Sequence, residues 1–174
     1  MRHGQTTGNI EDQVCGVIDV PLTELGHRQA IEAGREFRTR GLSADEILCS
    51  PLSRAADTAR HISEITGIPV RAEPLLTEQN FGRFEATPRS APEFREAKKR
   101  FVDRYGSGES MLQVAHRVYG LLDRIRAESE EKTYILVAHG GIARMVESYF
   151  RDMTNEEFAS YAVKNCAILR YDFP

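Results

Sequence analysis

Tyr134-Ile135-Leu136-Val137-Ala138-His139-Gly140-Gly141 decides the fold. Its opening residues are apolar without a break, the pattern of a parallel strand covered on both faces rather than the alternation of a half-exposed one. The run passes straight into a polar residue, two glycines and a second helical stretch. That is a strand-to-helix unit, and it repeats upstream. Glu46-Ile-Leu-Cys49 reads as a short strand ending at Ser50-Pro51, with Pro51 at a first helical position and Leu52, Ala55, Ala59 and Ile62 at helical spacing. Pro69-Val-Arg-Ala72 reads as another short strand, followed by a loop from about Glu78 to Pro92.

Helices fill the remaining intervals. Thr23 is placed to cap a helix carrying Gly26, Ala30, Ala33 and Phe37, which Gly41 stops. Residues 93–105 are charged and read as a short, partly exposed helix. From Ser110, the stripe Met111, Ala115, Val118, Leu122, Ile125 marks a helix packed along one face. Thr154 and Glu157 form a capping-box pair for a last helix, and Cys166 to Phe173 is expected to close the chain as an edge strand. The alternation predicts an α/β fold: a three-layer αβα sandwich around a mostly parallel sheet, in a single domain over residues 1–174.

Bulk properties restrict function. The chain has 174 residues, 41% hydrophobic and 28% charged, with a formal net charge of -3. That balance gives no general field for nucleic acid or an acidic membrane, so neither is expected as a partner. No apolar run is long enough to span a bilayer, and MRHGQTTGN at the start has no signal-peptide core. Cys15, Cys49 and Cys166 stand far apart in no metal-binding spacing, and are read as reduced thiols of a cytoplasmic protein.

The chemistry-bearing residues follow strand ends. Arg2-His3-Gly4, Ser50 to Arg54, Glu78 and His139-Gly140-Gly141 all do so, the strand for the first lying ahead of Met1. In a parallel sheet such positions converge on one edge, where ligands bind. Two arginines, two histidines and a carboxylate brought together there describe a phosphate pocket, with helix N-termini after Gly4, Pro51 and Gly140 adding N–H donors. His27, His61 and His116 lie outside these clusters and read as solvated.

These segments resemble, in order and over nearly the whole chain, those of the histidine phosphatase (phosphoglycerate mutase-like) superfamily. The matching stretches are Arg2-His3-Gly4-Gln5-Thr6 with Asn9, Gly16 to Gly26, Ser50 to Thr58, Leu76 to Glu85, Gly108 to Ser110, and Val137 to Gly141. The resemblance implies that His3 attacks phosphorus to form a phosphohistidine and that Glu78 protonates the leaving oxygen. It further implies that a protonated His139 stabilises transition-state charge while Arg2, Asn9, Arg54 and Gly140 bind the phosphoryl group. Metal ions and cofactors are not required. Glu85 competes with Glu78 for the acid role but is better read as a loop or N-cap carboxylate supporting the site, and Asn9 can also be read as only a helix or turn residue.

Two departures stand out. Phe84-Glu85-Ala86 lacks the glycine that many relatives place there, so a different backbone path is expected. In relatives a short apolar strand leads into His3, so the first strand is expected to be missing from these residues and an apolar segment is expected ahead of Met1. The favoured function is hydrolysis of a small phosphorylated metabolite. A phosphoglycerate mutase using the same residues is the alternative, disfavoured by the short segment over the site, and a non-catalytic phosphate-binding protein comes third. The C-terminal edge strand leaves a homodimer open.

Overall fold

The computed structural model describes residues 1–173. Three parallel strands, β1 (Glu46–Cys49), β2 (Val70–Ala72) and β3 (Tyr134–Val137), form a sheet in the order β2-β1-β3. Ile47 of β1 registers with Val70 on one side and Ile135 on the other. The helices are α1 (Thr7–Ile10), α2 (Glu24–Thr39), α3 (Ser53–Thr66), α4 (Pro92–Ala97), α5 (Met111–Ala127), α6 (Gly140–Phe150) and α7 (Asn155–Ser160).

Alternation along β1 builds the layers. Ile47 and Cys49, with Ile135 and Val137 of β3, pack against Phe37 of α2 and Ala55, Ala59 and Ile62 of α3. Leu48 points the other way, into Val114, Val118 and Leu122 of α5 and Ile142 and Met145 of α6. A strand has a side-chain period of two, so both sheet faces are covered as the apolar run implied. On the α5–α6 side, Tyr134 and Leu136 are only half-buried, and they border a cavity of about 500 Å3 that also touches Met1, Ile125, Phe150 and Tyr171. Residues 1–3 run parallel beside the end of β3. The Met1 amine donates to Leu136 O (2.7 Å), Ala138 N to Met1 O (3.0 Å) and His3 N to Ala138 O (2.9 Å).

Several expectations need correcting. Residues 166–173 form no strand. Among the described residues, their one backbone bond to residues 1–3 runs from Cys166 N to Arg2 O (2.9 Å). One bond does not make a ladder. Side chains hold the tail instead: Phe150 stacks on Tyr171 with ring centroids 4.9 Å apart, and Tyr171 OH donates to Glu147. The edge that suggested a homodimer is therefore not formed. Helix α3 starts at Ser53, with Leu52 as a cap residue lacking a side-chain bond. Its cap comes from a distant loop, where Asp19 accepts from Ser53 N (3.0 Å) and Oγ (2.8 Å). The helix expected over 93–105 ends at Ala97, and the chain then turns, with Tyr105 and Gly106 both at positive φ.

His27 and His61 are not solvated but half-buried, joining α2 to α3 through Nδ1 and Nε2 at 2.9 Å. The capping boxes hold: Ser110 with Gln113 opens α5 and Thr154 with Glu157 opens α7.

Ala86 bears on the missing glycine. It adopts φ +61°, the left-handed region, while its N–H donates to Val14 O (2.9 Å). The backbone takes the path a glycine would take, with an alanine under strain on it. Because Ala86 is exposed and buries nothing, Ala86→Gly is expected to raise the urea unfolding free energy by roughly 0.5–1 kcal/mol. A loss of stability on denaturant titration would contradict the strain.

Candidate active site

The first histidine has a fixed tautomer. His3 follows directly from the backbone pairing beside β3 and is buried, and its Nδ1 lies 2.7 Å from Gly4 O. A carbonyl only accepts, so Nδ1 carries the proton and Nε2 keeps the lone pair. Burial is the main cause that pulls the His3 pKa down to about 3; Arg54 and Arg2 add to it, and the Gly4 carbonyl bond opposes it. A neutral imidazole with an available Nε2 is what nucleophilic attack requires.

His139 caps α6 at the end of β3 and is fully buried. Its ring lies 5.2 Å from that of His3. Arg54 Nε donates to His139 Nδ1 (3.2 Å), so Nδ1 is the acceptor and the proton sits on Nε2, which has no partner among the described residues. Burial, then the Arg54 charge, holds its pKa well below the ordinary value. The protonated His139 expected from the sequence is thus replaced by a neutral Nε2–H donor.

Arg54 is brought to the site, but most of its donors serve the protein. Nη1 donates to Ile18 O (3.0 Å), and Nη2 to Gly16 O (2.7 Å) and Cys15 O (3.3 Å). Arg2 donates from Nη1 to Val163 O (2.7 Å), and its buried Nε is unpaired among the described residues. Asn9 is the third residue of a capping box with Thr6, its Oδ1 accepting from Thr6 N (3.1 Å). Asn9 therefore sits in the short helix α1 as a capping residue, and this leaves its Nδ2 to donate elsewhere.

Glu78 is buried, with Oε2 accepting from Gly141 N (2.9 Å) and Oε1 from Gln79 N (2.9 Å). A Cβ on Gly141 would run into Glu78 Oε1, whereas one on Gly140 would meet nothing within 4 Å. The steric demand in this glycine pair therefore falls on the second residue, not on the one singled out from the sequence. Glu85 does support the site. Its carboxylate accepts from Phe81 N (2.9 Å), Gly16 N (3.0 Å), Val17 N (3.2 Å) and Ile18 N (3.4 Å).

Sequence reasoning missed the residues that hold these groups. Asn165 Nδ2 donates to His3 O (2.8 Å), and Thr58 Oγ1 accepts from Gly4 N (3.1 Å). Arg117 pairs with Glu109 (3.0 Å) and donates to the Leu75 and Glu78 carbonyls, fixing the acid loop. Arg144, Lys98 and Arg89 were also passed over. None of these three cations lies in a matching motif, whereas Thr58 closes one; Arg144 carried one usable signal, three residues beyond Gly141 on the same helix face. Among the described residues, no three His, Cys, Asp or Glu side chains group as a metal site, and no helix is long and apolar enough to cross a membrane.

Comparison with known proteins places the whole chain in one family. The family model described as histidine phosphatase superfamily (branch 1) matches residues 1–174. A Yersinia enterocolitica protein named as a probable phosphoglycerate mutase, GpmB, is 29% identical over 99% of this chain and 83% of its own length. A mycobacterial glucosyl-3-phosphoglycerate phosphatase solved with VO3 superposes with TM-score 0.83 at 29% identity, covering 95% of this chain and 85% of that one. A candidate alpha-ribazole-5′-P phosphatase from Escherichia coli superposes with TM-score 0.76 at 26% identity, covering 95% and 84%.

Two outcomes are expected from the site. His3 titrates at about 3 when folded and near 6.5 when unfolded, so between those values the unfolded chain binds the extra proton. Stability should therefore fall as pH drops from 6.5 toward 3. Urea midpoints at pH 7.5 and 5.0 should show this fall, smaller in His3→Ala; a pH-independent midpoint would contradict the buried neutral ring. Gly141→Ala should push Glu78 aside and lower kcat by about a hundredfold with the fold kept, as small misplacements of a reacting group do. Gly140→Ala should lose far less, and equal losses would refute the contact.

Proposed function

Because this chain belongs to the histidine phosphatase superfamily and is an enzyme of that kind, we propose that it hydrolyses a small phosphomonoester through a phosphohistidine on His3. The observation that carries this reading is the pairing of a neutral His3, its lone pair on Nε2, with buried donors at Arg2 Nε and His139 Nε2 that have no partner among the described residues. A nucleophile with empty anion-binding donors around it suits an incoming phosphoryl group.

In the first step His3 Nε2 bonds to phosphorus and the ester P–O bond breaks. The proton of Glu78 goes to the leaving oxygen. Arg2, Asn9 Nδ2, His139 Nε2–H and the α6 N-terminus at Gly140 donate to the equatorial oxygens. Arg54 contributes charge from behind and fixes the tautomer of His139. In the second step water attacks phosphorus, the N–P bond breaks and the Glu78 carboxylate takes the water proton. Every charge in this scheme is met by side chains and backbone of this chain, so it runs without a metal ion or cofactor. The domain is one unit over residues 1–174 acting in the cytoplasm, in keeping with three unpaired thiols.

The mutase alternative rests on the name carried by the Yersinia relatives. Against it stands the short segment over the site, in which α4, the one α-helix among the described residues there, has 6 residues. A mutase must keep water from its phosphoenzyme.

One assay tests the whole scheme. In the presence of a strong chelator, labelled substrate should leave acid-labile, base-stable phosphate on His3, and His3→Ala should lose activity by several orders of magnitude, as removal of a covalent nucleophile does. With 3-phosphoglycerate, phosphate release should exceed 2-phosphoglycerate formation. Near-normal turnover by His3→Ala, or the reverse product ratio, would overturn the respective claim.

A further inference from the structure

A tight turn near the end of the chain grips the residues around the nucleophile. Lys164 O accepts from Ala167 N (3.2 Å), closing a four-residue turn whose third member, Cys166, adopts φ +58°. That conformation is unfavourable for a residue with a Cβ. In it, the Cys166 N–H reaches Arg2 O (2.9 Å), while Val163 O, just before the turn, accepts from Arg2 Nη1 (2.7 Å). Both the backbone and the side chain of Arg2 are held there.

Asn165, the second member of the turn and half-buried, reaches one residue further. Its Nδ2 donates to His3 O (2.8 Å) and, at 3.4 Å, to Asn9 Oδ1. The pairing of residues 1–3 with the end of β3 stops at His3 N on Ala138 O, and Asn165 is the one donor to the His3 carbonyl among the described residues. The peptide linking His3 to Gly4 is thus held at both ends, because Thr58 Oγ1 accepts from Gly4 N (3.1 Å).

The same amino group orients Asn9. Asn9 Oδ1 faces two donors, Thr6 N (3.1 Å) and Asn165 Nδ2, so a flipped amide would set N–H against N–H. Asn9 Nδ2 is thereby left for the phosphoryl group of the scheme above. A primary amide carries two hydrogens on one nitrogen and can serve both oxygens at once; a hydroxyl has one hydrogen and a carboxylate none.

Taking the phosphatase reading as its basis, we infer that Asn165 is a positioning residue for phosphoryl transfer. One NH2 group ties the peptide of the nucleophile to the amide of Asn9, which sets His3 Nε2 and Asn9 Nδ2 in register on one phosphoryl group. Asn165 itself touches no substrate. Its effect falls on the in-line arrangement reached as His3 bonds to phosphorus. Ground-state anion binding depends on it far less, because in the scheme Arg2, His139 and the α6 N-terminus also donate to the anion.

Two anions separate these states without depending on turnover. Inorganic phosphate binds as a ground-state anion, whereas vanadate accepts a fifth ligand and mimics the in-line arrangement when His3 Nε2 supplies it. Asn165→Leu is nearly isosteric and has no side-chain N–H; Asn165→Ala, which adds no bulk, keeps the test open if the leucine variant fails to fold. By calorimetric titration, vanadate affinity should fall roughly tenfold to a hundredfold in these variants, as a small misplacement of a reacting group does, while phosphate affinity falls by less than about threefold. The kcat for p-nitrophenyl phosphate should fall in parallel with vanadate affinity. In an Asn9→Ala background the same substitution should cost less, since one of its two targets is gone. Equal losses for the two anions would overturn the inference, as would unchanged vanadate affinity in a folded variant or a fully additive loss with Asn9→Ala. Phosphate release through His3 that ignores Asn165 would refute the inference alone; Asn165-dependent vanadate binding in a protein that releases no phosphate through His3 would refute the hydrolase reading alone.

Discussion

The site is organised around one buried guanidinium. Arg54 is 1% exposed, yet it has no close carboxylate: Asp19 stands 3.8 Å away, and its nearest contacts are three carbonyls and an imidazole nitrogen. Burying a charge in this way is costly unless its donors are satisfied, and here they are. Those bonds reach two separate pieces of chain: they draw the 15–18 loop over the sheet edge and set the tautomer of His139. The backbone carbonyl of the same residue accepts from Thr58 Oγ1, which in turn receives Gly4 N. The protonation of His139 depends on this arginine.

A second consequence is electrostatic. Arg54, Arg2, Arg89, Lys98 and Arg144 surround a centre with one buried acid, Glu78, while Glu85 is occupied by backbone N–H groups. Burial first, and this surplus of positive charge after it, pushes His3 and His139 toward their neutral forms. The pocket is poised for anions by what it lacks as much as by what it contains.

Much of this was legible in the sequence. The unbroken Tyr134–Val137 run and the alternation of strand and helix gave the parallel sheet and its layers, and residues following strand ends converge as sheet geometry requires. What escaped depends on long-range contacts with no local signature. Residues 166–173 have strand-like composition, but a strand exists only where a partner backbone is present, and residues 1–3 offer too little. Pro51 is a sound helix start by local rules; Asp19, 34 residues away, moves the start to Ser53. Charge states were the least readable of all. The neutral form of His139 is set by a nitrogen of Arg54 that is 85 residues distant in sequence. Asn165 sits in no matching motif, so its role emerges only when its neighbours are known.

The Glu85 carboxylate holds a further implication. Four backbone amides, those of Gly16, Val17, Ile18 and Phe81, rest on its two oxygens, so this carboxylate, with the Val14–Thr87 and Ala86–Val14 backbone bonds beside it, joins the loop above the phosphate pocket to the loop carrying the acid. Neither can lift away alone. Their amide protons are shielded by the same anchor and exchange with solvent through a single shared opening event. Ligand entry and departure on this rim are thereby tied to the breathing of one two-loop body rather than to an independent flap.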